Sequence, residues 1–342
     1  MKKGIWLLLT ALFIGALIIA LGVGRYAISL YDVGRIIFNS WGVTGWLPAP
    51  TQEMQLVFWN IRLPRIIMSF VVGAGVSVAG VVSQGIFRNP LAAPDILGVT
   101  QGAGFGAALA IMFFTNIIIG IQGCAFIFGI LAVAAAYFFA SRSSDQSAAV
   151  LVIAGIVVSA VFQAGLTILM YLADPYDQLA KIVFWTLGSF QAASWLKVQT
   201  TVPVVIAGVA LLSVFGWRLN IMTLVEEEAL ALGVNIFRWR TFYLGVSILI
   251  MAASVAAVGA VKWFDLIIPH IARYLVGTEH KRLIMVSAVL GGSFMMLMDS
   301  LARSVLAMEI PVSIVTSIFG APFLGYLILS RKGGAMGSDR AS

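Results

Sequence analysis

Long apolar runs constrain this chain before anything else does. Segments of about twenty residues with almost no charge recur from "GIWLLLTALFIGALIIALGVG" near the start to "IPVSIVTSIFGAPFLGYLIL" near the end, and that length matches a bilayer's hydrocarbon core. Backbone groups find no water there, so the runs must be helices or a closed barrel. A barrel would alternate in segments of roughly ten residues, which these unbroken runs do not. Composition agrees, with 61% hydrophobic and only 10% charged residues, where a soluble domain carries about a quarter charged. The expected fold is an all-α polytopic membrane protein, with residues 1–342 as one transmembrane domain.

Spans are expected near 4–28, 63–86, 94–114, 117–140, 148–172, 196–217, 240–261, 281–305 and 312–330. A tenth segment, 266–278, is too short to cross alone and contains Pro269, so it reads as a half-span packed inside the bundle. The first run is too long for a signal-peptide core and reads as a retained span. Segment 31–60, with Trp41, Trp46, Pro48, Pro50 and Trp59, reads as an interfacial helix or lid, and 218–240 as two short helices under the membrane. With the N-terminus cytoplasmic, Arg25, Arg35, Arg62, Arg65, Lys181, Lys197, Lys262 and Arg303 fall outside and the remainder of the 21 Lys and Arg inside, the bias retained loops favour. Both termini are then cytoplasmic. Residues 76–99 and 253–277 echo each other as small-residue helix, proline break and restart in opposite directions, a pattern transporters use around a central pathway.

The chemistry on offer is sparse. Cys124 is the one cysteine and His270 and His280 are the two histidines, which supply no metal cluster. No nucleophile–base pair or paired-carboxylate constellation for a membrane enzyme is evident. Acids lie near span ends, against an ion-coupled transporter. No Gly-Lys dipeptide occurs, so the chain has no Walker A loop. His270 and the methionines Met295, Met296 and Met298 read as packing residues.

Five blocks carry a stronger signal: "RLPRIIMSFVVGAGVSVAGVVSQGIFRNPLAAPDILGV", "FWTLGSFQAASW", "EEEALALGVN", "IIPHIARYLVG" and "DSLARSVLAMEIPVSIVTSIFGAPFLGYLIL". Together, and in this order, they resemble the permease family of ABC importers for iron-siderophores, haem and cobalamin. The resemblance implies about ten helices, a homodimer with the pathway on its axis, and cytoplasmic coupling helices. It also implies two cytoplasmic ATPase subunits, which bind ATP and magnesium, and a periplasmic or lipid-anchored substrate-binding protein. No cofactor is implied for this chain, which would sit in the lipid of a bacterial or archaeal cytoplasmic (inner) membrane and have no nucleic-acid partner. An oxyanion of the molybdate type is the alternative cargo on the same frame.

Carried over residue by residue, the resemblance assigns Arg62, Arg65 and Arg303 to docking against acids of the binding protein, with Asp299 steadying Arg303. It assigns Glu226, Glu227, Glu228, Leu230, Leu232, Gly233 and Val234 to the coupling helix on the ATPase, and Asn89 and Leu91 to an inner gate. Two departures stand out. Where the family has a small, neutral apex before the half-span, this chain has Lys262, Trp263 and Asp265. That apex is expected to face outward near the axis, and either lines the substrate path or forms a local Lys–Asp bridge. Ser313 stands where glycine is common, which puts the local helix start in doubt.

Overall fold

The computed structural model describes residues 3–42, 48–114, 118–143, 147–223, 234–306 and 308–338. Among these, every regular element is helical. In chain order the helices are α1 (Lys3–Gly22), α2 (Leu30–Ser40), α3 (Gln52–Val57), α4 (Leu63–Ile86), α5 (Val99–Phe113), α6 (Ile118–Ser141) and α7 (Ala148–Leu172). They continue as α8 (Gln178–Leu187), α9 (Trp195–Met222), α10 (Ile236–Val258), α11 (Phe264–Val276), α12 (His280–Ala302) and α13 (Val312–Ser338). A π-turn, Phe58–Arg62, joins α3 to α4, and a 3-10 turn, Pro94–Leu97, precedes α5. Among the described residues, seven of these stretches are long and apolar enough to cross a membrane, and α5 is a shorter apolar helix.

Each expected span is met by a helix, and α11 is the expected half-span. Three boundaries differ. The first span stops at Gly22, and the third begins only at Val99, because Pro94 holds a 3-10 turn and Gly98 takes the left-handed conformation (φ +86°) that ends it. The ends of segment 218–240 are not separate helices under the membrane: residues 218–222 complete α9 and 236–240 open α10. Helix α8 was not anticipated, since Lys181 breaks its apolar pattern.

The lid expectation for 31–60 corresponds to α2, which Ser29 caps by accepting from the Asp32 amide. Its Val33 and Ile36 are buried with Ile28 and Phe58. Arg35 pairs with Asp32 at 2.7 Å and donates to the carbonyls of Pro48 and Ala49, which ties this helix to the start of the next segment.

Helix α4 is the axis of the bundle, buried along nearly its whole length against α9, α10, α11 and α12. It can be so because small residues let backbones approach, the usual basis of helix association in lipid. A β-carbon on Gly73 would lie 2.5 Å from the Gly291 carbonyl, and one on Gly291 would lie 2.1 Å from the Ser77 hydroxyl. Met295 and Met296 are fully buried here, as packing residues. Because α12 runs antiparallel to α4, Leu63 and Ala302 share one end of the bundle, called here the arginine end; Ile86 and His280 share the other, the loop end.

Candidate functional site

The sequence places Arg62 and Arg65 either side of Pro64, and the π-turn just before them follows from that proline. Pro64 has no N–H to give to the preceding turn, and a widened turn accommodates the loss. The structure brings Arg62, Arg65 and Arg303 into one cluster. It does not leave them facing outward: all three are buried, with 3%, 6% and 6% of their surface exposed.

Each arginine has partners within the chain, as a buried charge requires. Arg65 is a double fork. Its Nε and Nη2 bind Asp299 at 2.9–3.1 Å and its Nη1 binds Glu309 at 3.0–3.2 Å. Arg62 donates to the carbonyl of Leu21 in the last turn of α1 and to that of Tyr26 just beyond it, where Gly24 leaves room for the guanidinium. Arg303 donates to the Ala20 carbonyl at 2.8 Å, with Asp299 further off at 3.7 Å. The expected Asp299–Arg303 pairing is thus secondary, since Asp299 is chiefly the counter-ion of Arg65. Glu309, which the sequence reading missed, completes the cluster and also lies 3.9 Å from Arg25, whose side chain is half exposed.

Three chain breaks meet close to this cluster, near the arginine end, where Ile310 donates its amide to the Ala302 carbonyl at 2.9 Å. Ser189 donates its amide to the Val258 carbonyl at 2.7 Å, and Val312 donates to the Gly188 carbonyl at 3.0 Å. Ser313 adds its hydroxyl to the Leu187 carbonyl, which gives the serine a task a glycine could not perform, and α13 starts here without disruption. Gly188 (φ +71°) and Gly259 (φ +80°) are both left-handed, and a β-carbon on either would fall 2.2–2.3 Å from a carbonyl of the other strand of chain. Backbone away from helices is tolerated at membrane depth only where protein or a water-filled path surrounds it. Short helices ending at such a junction are the arrangement that builds transport sites.

The apex 259–263 runs from this junction toward the loop end. Gly80 lies against the Asp265 carbonyl, where a β-carbon would be only 2.0 Å away, and Gly80 is seventeen residues, about 26 Å of helix, below Leu63. The turn is thus re-entrant, dipping from the arginine end into the bundle to the level of Gly80. Trp263 holds an unusual φ of +70° and seats its side chain on Gly320 of α13. Lys262 is exposed, while Asp265 is buried at the first turn of α11. No ion pair joins them, which removes the local-bridge reading. Gln84 of α4 fastens the same turn through bonds to the Asp265 and Leu266 carbonyls.

At the loop end, Asn89 accepts the Leu91 amide at 2.9 Å, an Asx-turn that fixes the short loop after α4, and Leu91 is exposed. Of the coupling residues, Glu226, Glu227, Glu228, Leu230, Leu232 and Gly233 lie outside the described residues, and Val234 is half buried just before α10. The roots of that segment are clamped together. Arg218 of α9 stacks 4.3 Å from the ring of Trp239 on α10, within a group that includes Phe215, Phe242 and Tyr243. His270 stacks on Tyr274 one turn later, a packing contact.

With this geometry established, comparison with known proteins is informative. The FecCD transport family profile matches residues 11–330. The molybdate import system permease MolB of Haemophilus influenzae is 40% identical over 331 residues, covering 96% of each chain. The cobalamin import system permease BtuC of Halobacterium salinarum is 36% identical, covering 82% of this chain and 75% of its own. A solved structure described as an inward-facing conformation of a metal-chelate type ABC transporter superposes with a TM-score of 0.84 at 36% identity, over 96% of this chain and 99% of that one. The profile match spans the arginine cluster, the glycine junction and the re-entrant apex alike, and the chain belongs to the FecCD transport family of ABC importer permeases.

Proposed function

We propose that this chain is the membrane subunit of an ATP-driven importer that moves an anionic cargo into the cytoplasm, as a homodimer in the inner membrane with both termini cytoplasmic. A binding protein delivers the cargo at the arginine end, and ATPase subunits work on the segment around 224–234. The observation that carries this reading is the junction of α8, α10 and α13 with the re-entrant apex below it. Lys262 is exposed on that apex with its nearby carboxylate, Asp265, turned into the core. The apex thus offers a cation to whatever passes, and confined water strengthens its effect. A relative at 40% identity that imports molybdate by name supports an oxyanion. The cobalamin and hemin permeases among the relatives support the second reading, a metal chelate bearing carboxylates or phosphate.

In this reading the docking role of Arg62, Arg65 and Arg303 becomes indirect. They hold the ends of α1 and α12 and the loop to Glu309 in place, and that surface, with half-exposed Arg25, meets the acids of the binding protein. The cargo experiment is an uptake assay with the binding protein saturated. Lys262→Ala is expected to slow uptake several-fold, and Lys262→Arg to retain it. Equal rates in wild type and Lys262→Ala would remove the anionic assignment, and a faster Lys262→Ala with a slower Asp265→Asn would indicate a cation.

A further inference from the structure

Lys197, in the first turn of α9, is a buried cation outside the arginine cluster and the apex. Only 8% of its surface is exposed, and its Nζ donates to the Ala257 carbonyl at 2.7 Å, capping the end of α10. An ammonium carries three donors, and one carbonyl does not replace the water it has lost. Lys197 also lines a cavity of about 630 Å³, whose walls include Ile111, Ile121, Phe184, Trp185 and Val258. Tyr176 and the ion pair Asp177–Lys181, both exposed, stand at its mouth.

Two further hollows lie farther along the same side. One, lined by Gly123, Phe126, Thr201 and Ala253, lies between α6, α9 and α10, where Gln122 donates to the Thr200 and Thr201 hydroxyls. The other, lined by Val133, Ala134, Leu244, Gly245 and Ile248, lies between α6 and α10. From Ala257 to Leu244 the row of hollows covers about 20 Å of helix, within a hydrocarbon core about 30 Å thick. The space is open to a ligand: a β-carbon on Gly123 or on Gly245 would meet no atom within 4 Å. Its flanks, Ile127, Leu131, Ile206 and Leu249, are exposed apolar side chains, as on a lipid-facing surface.

We propose that this row is a binding site for an anionic phospholipid, with one acyl chain along α6 and α10 and the phosphate beside Lys197. A buried cation at the head of a row of apolar hollows fits an amphiphile, whereas a free oxyanion would gain nothing from the walls below. The site does not depend on the cargo or on ATP. It rests only on the chain's being embedded in a bilayer, and its effect is to fasten α9 to the end of α10 beside the glycine junction.

The test uses the full-length protein in nanodiscs of phosphatidylcholine alone and of phosphatidylcholine with phosphatidylglycerol. Native mass spectrometry reads retained lipid, and thermal unfolding reads its effect. Wild type and Lys197→Arg are expected to retain phosphatidylglycerol and to unfold several degrees higher with it. Lys197→Gln keeps a donor for the Ala257 carbonyl but loses the charge, and is expected to retain about tenfold less. Gly123→Leu adds bulk at a position where a β-carbon meets no atom within 4 Å, and is expected to displace the lipid while the lysine remains. Unchanged retention in both Lys197→Gln and Gly123→Leu would overturn the site. So would an equal shift from soluble glycerol phosphate, or a co-purified organic chelate in place of the lipid.

Discussion

Asp299→Ala is expected to destabilise the folded subunit by about 3–5 kcal/mol, the usual cost of removing one partner from a buried ion pair. The Arg65 guanidinium would keep its Glu309 bonds but lose three contacts to Asp299 in a site only a few per cent exposed. Arg303, already poorly served at 3.7 Å, would lose its nearest carboxylate. Thermal unfolding in nanodiscs measures the effect, and a midpoint within a degree of wild type would show that the cluster carries no stability. Asp299→Asn should fall between the two, because it keeps the shape and an acceptor but not the charge.

Gly80→Val is the second large effect. Every branched side chain there must displace the backbone carbonyl of Asp265, which stands 2.0 Å from the added carbon, and backbone cannot rotate away as a side chain can. The cost is expected to exceed the 1–3 kcal/mol typical of overpacking, because α11 must move and Gln84 would lose its two carbonyl partners. Transport should be abolished. Gly15→Ala, in open space on α1, is the control and should be neutral or slightly stabilising. Uptake at the wild-type rate in Gly80→Val would mean that the packing of α4 against α11 is not as described.

Much of this fold is legible in the sequence because apolar length is a one-dimensional property. The spans, the half-span α11 and the packing role of the methionines all follow from it. Helix α8 was not legible for the same reason: ten residues with a lysine in the middle look like a loop until Gly188 and Gly259 are seen to cross. The three arginines expected to dock a partner stand out in the sequence as a group, but not as buried, since nothing in "RLPR" discloses that Asp299 and Glu309, more than 230 residues later, return to meet Arg65. Apex depth depends on the same long-range packing, here of Gly80 against α11. Lys197 carried a weak signal, a lone cation just inside a span.

Whether this chain is one component of an ATP-driven importer is measured by uptake into proteoliposomes holding the permease and its ATPase, with the binding protein loaded outside. Uptake is expected only with ATP inside, and is expected to persist when ionophores collapse the membrane potential and ion gradients. Uptake driven by a gradient without ATP or ATPase would contradict the account.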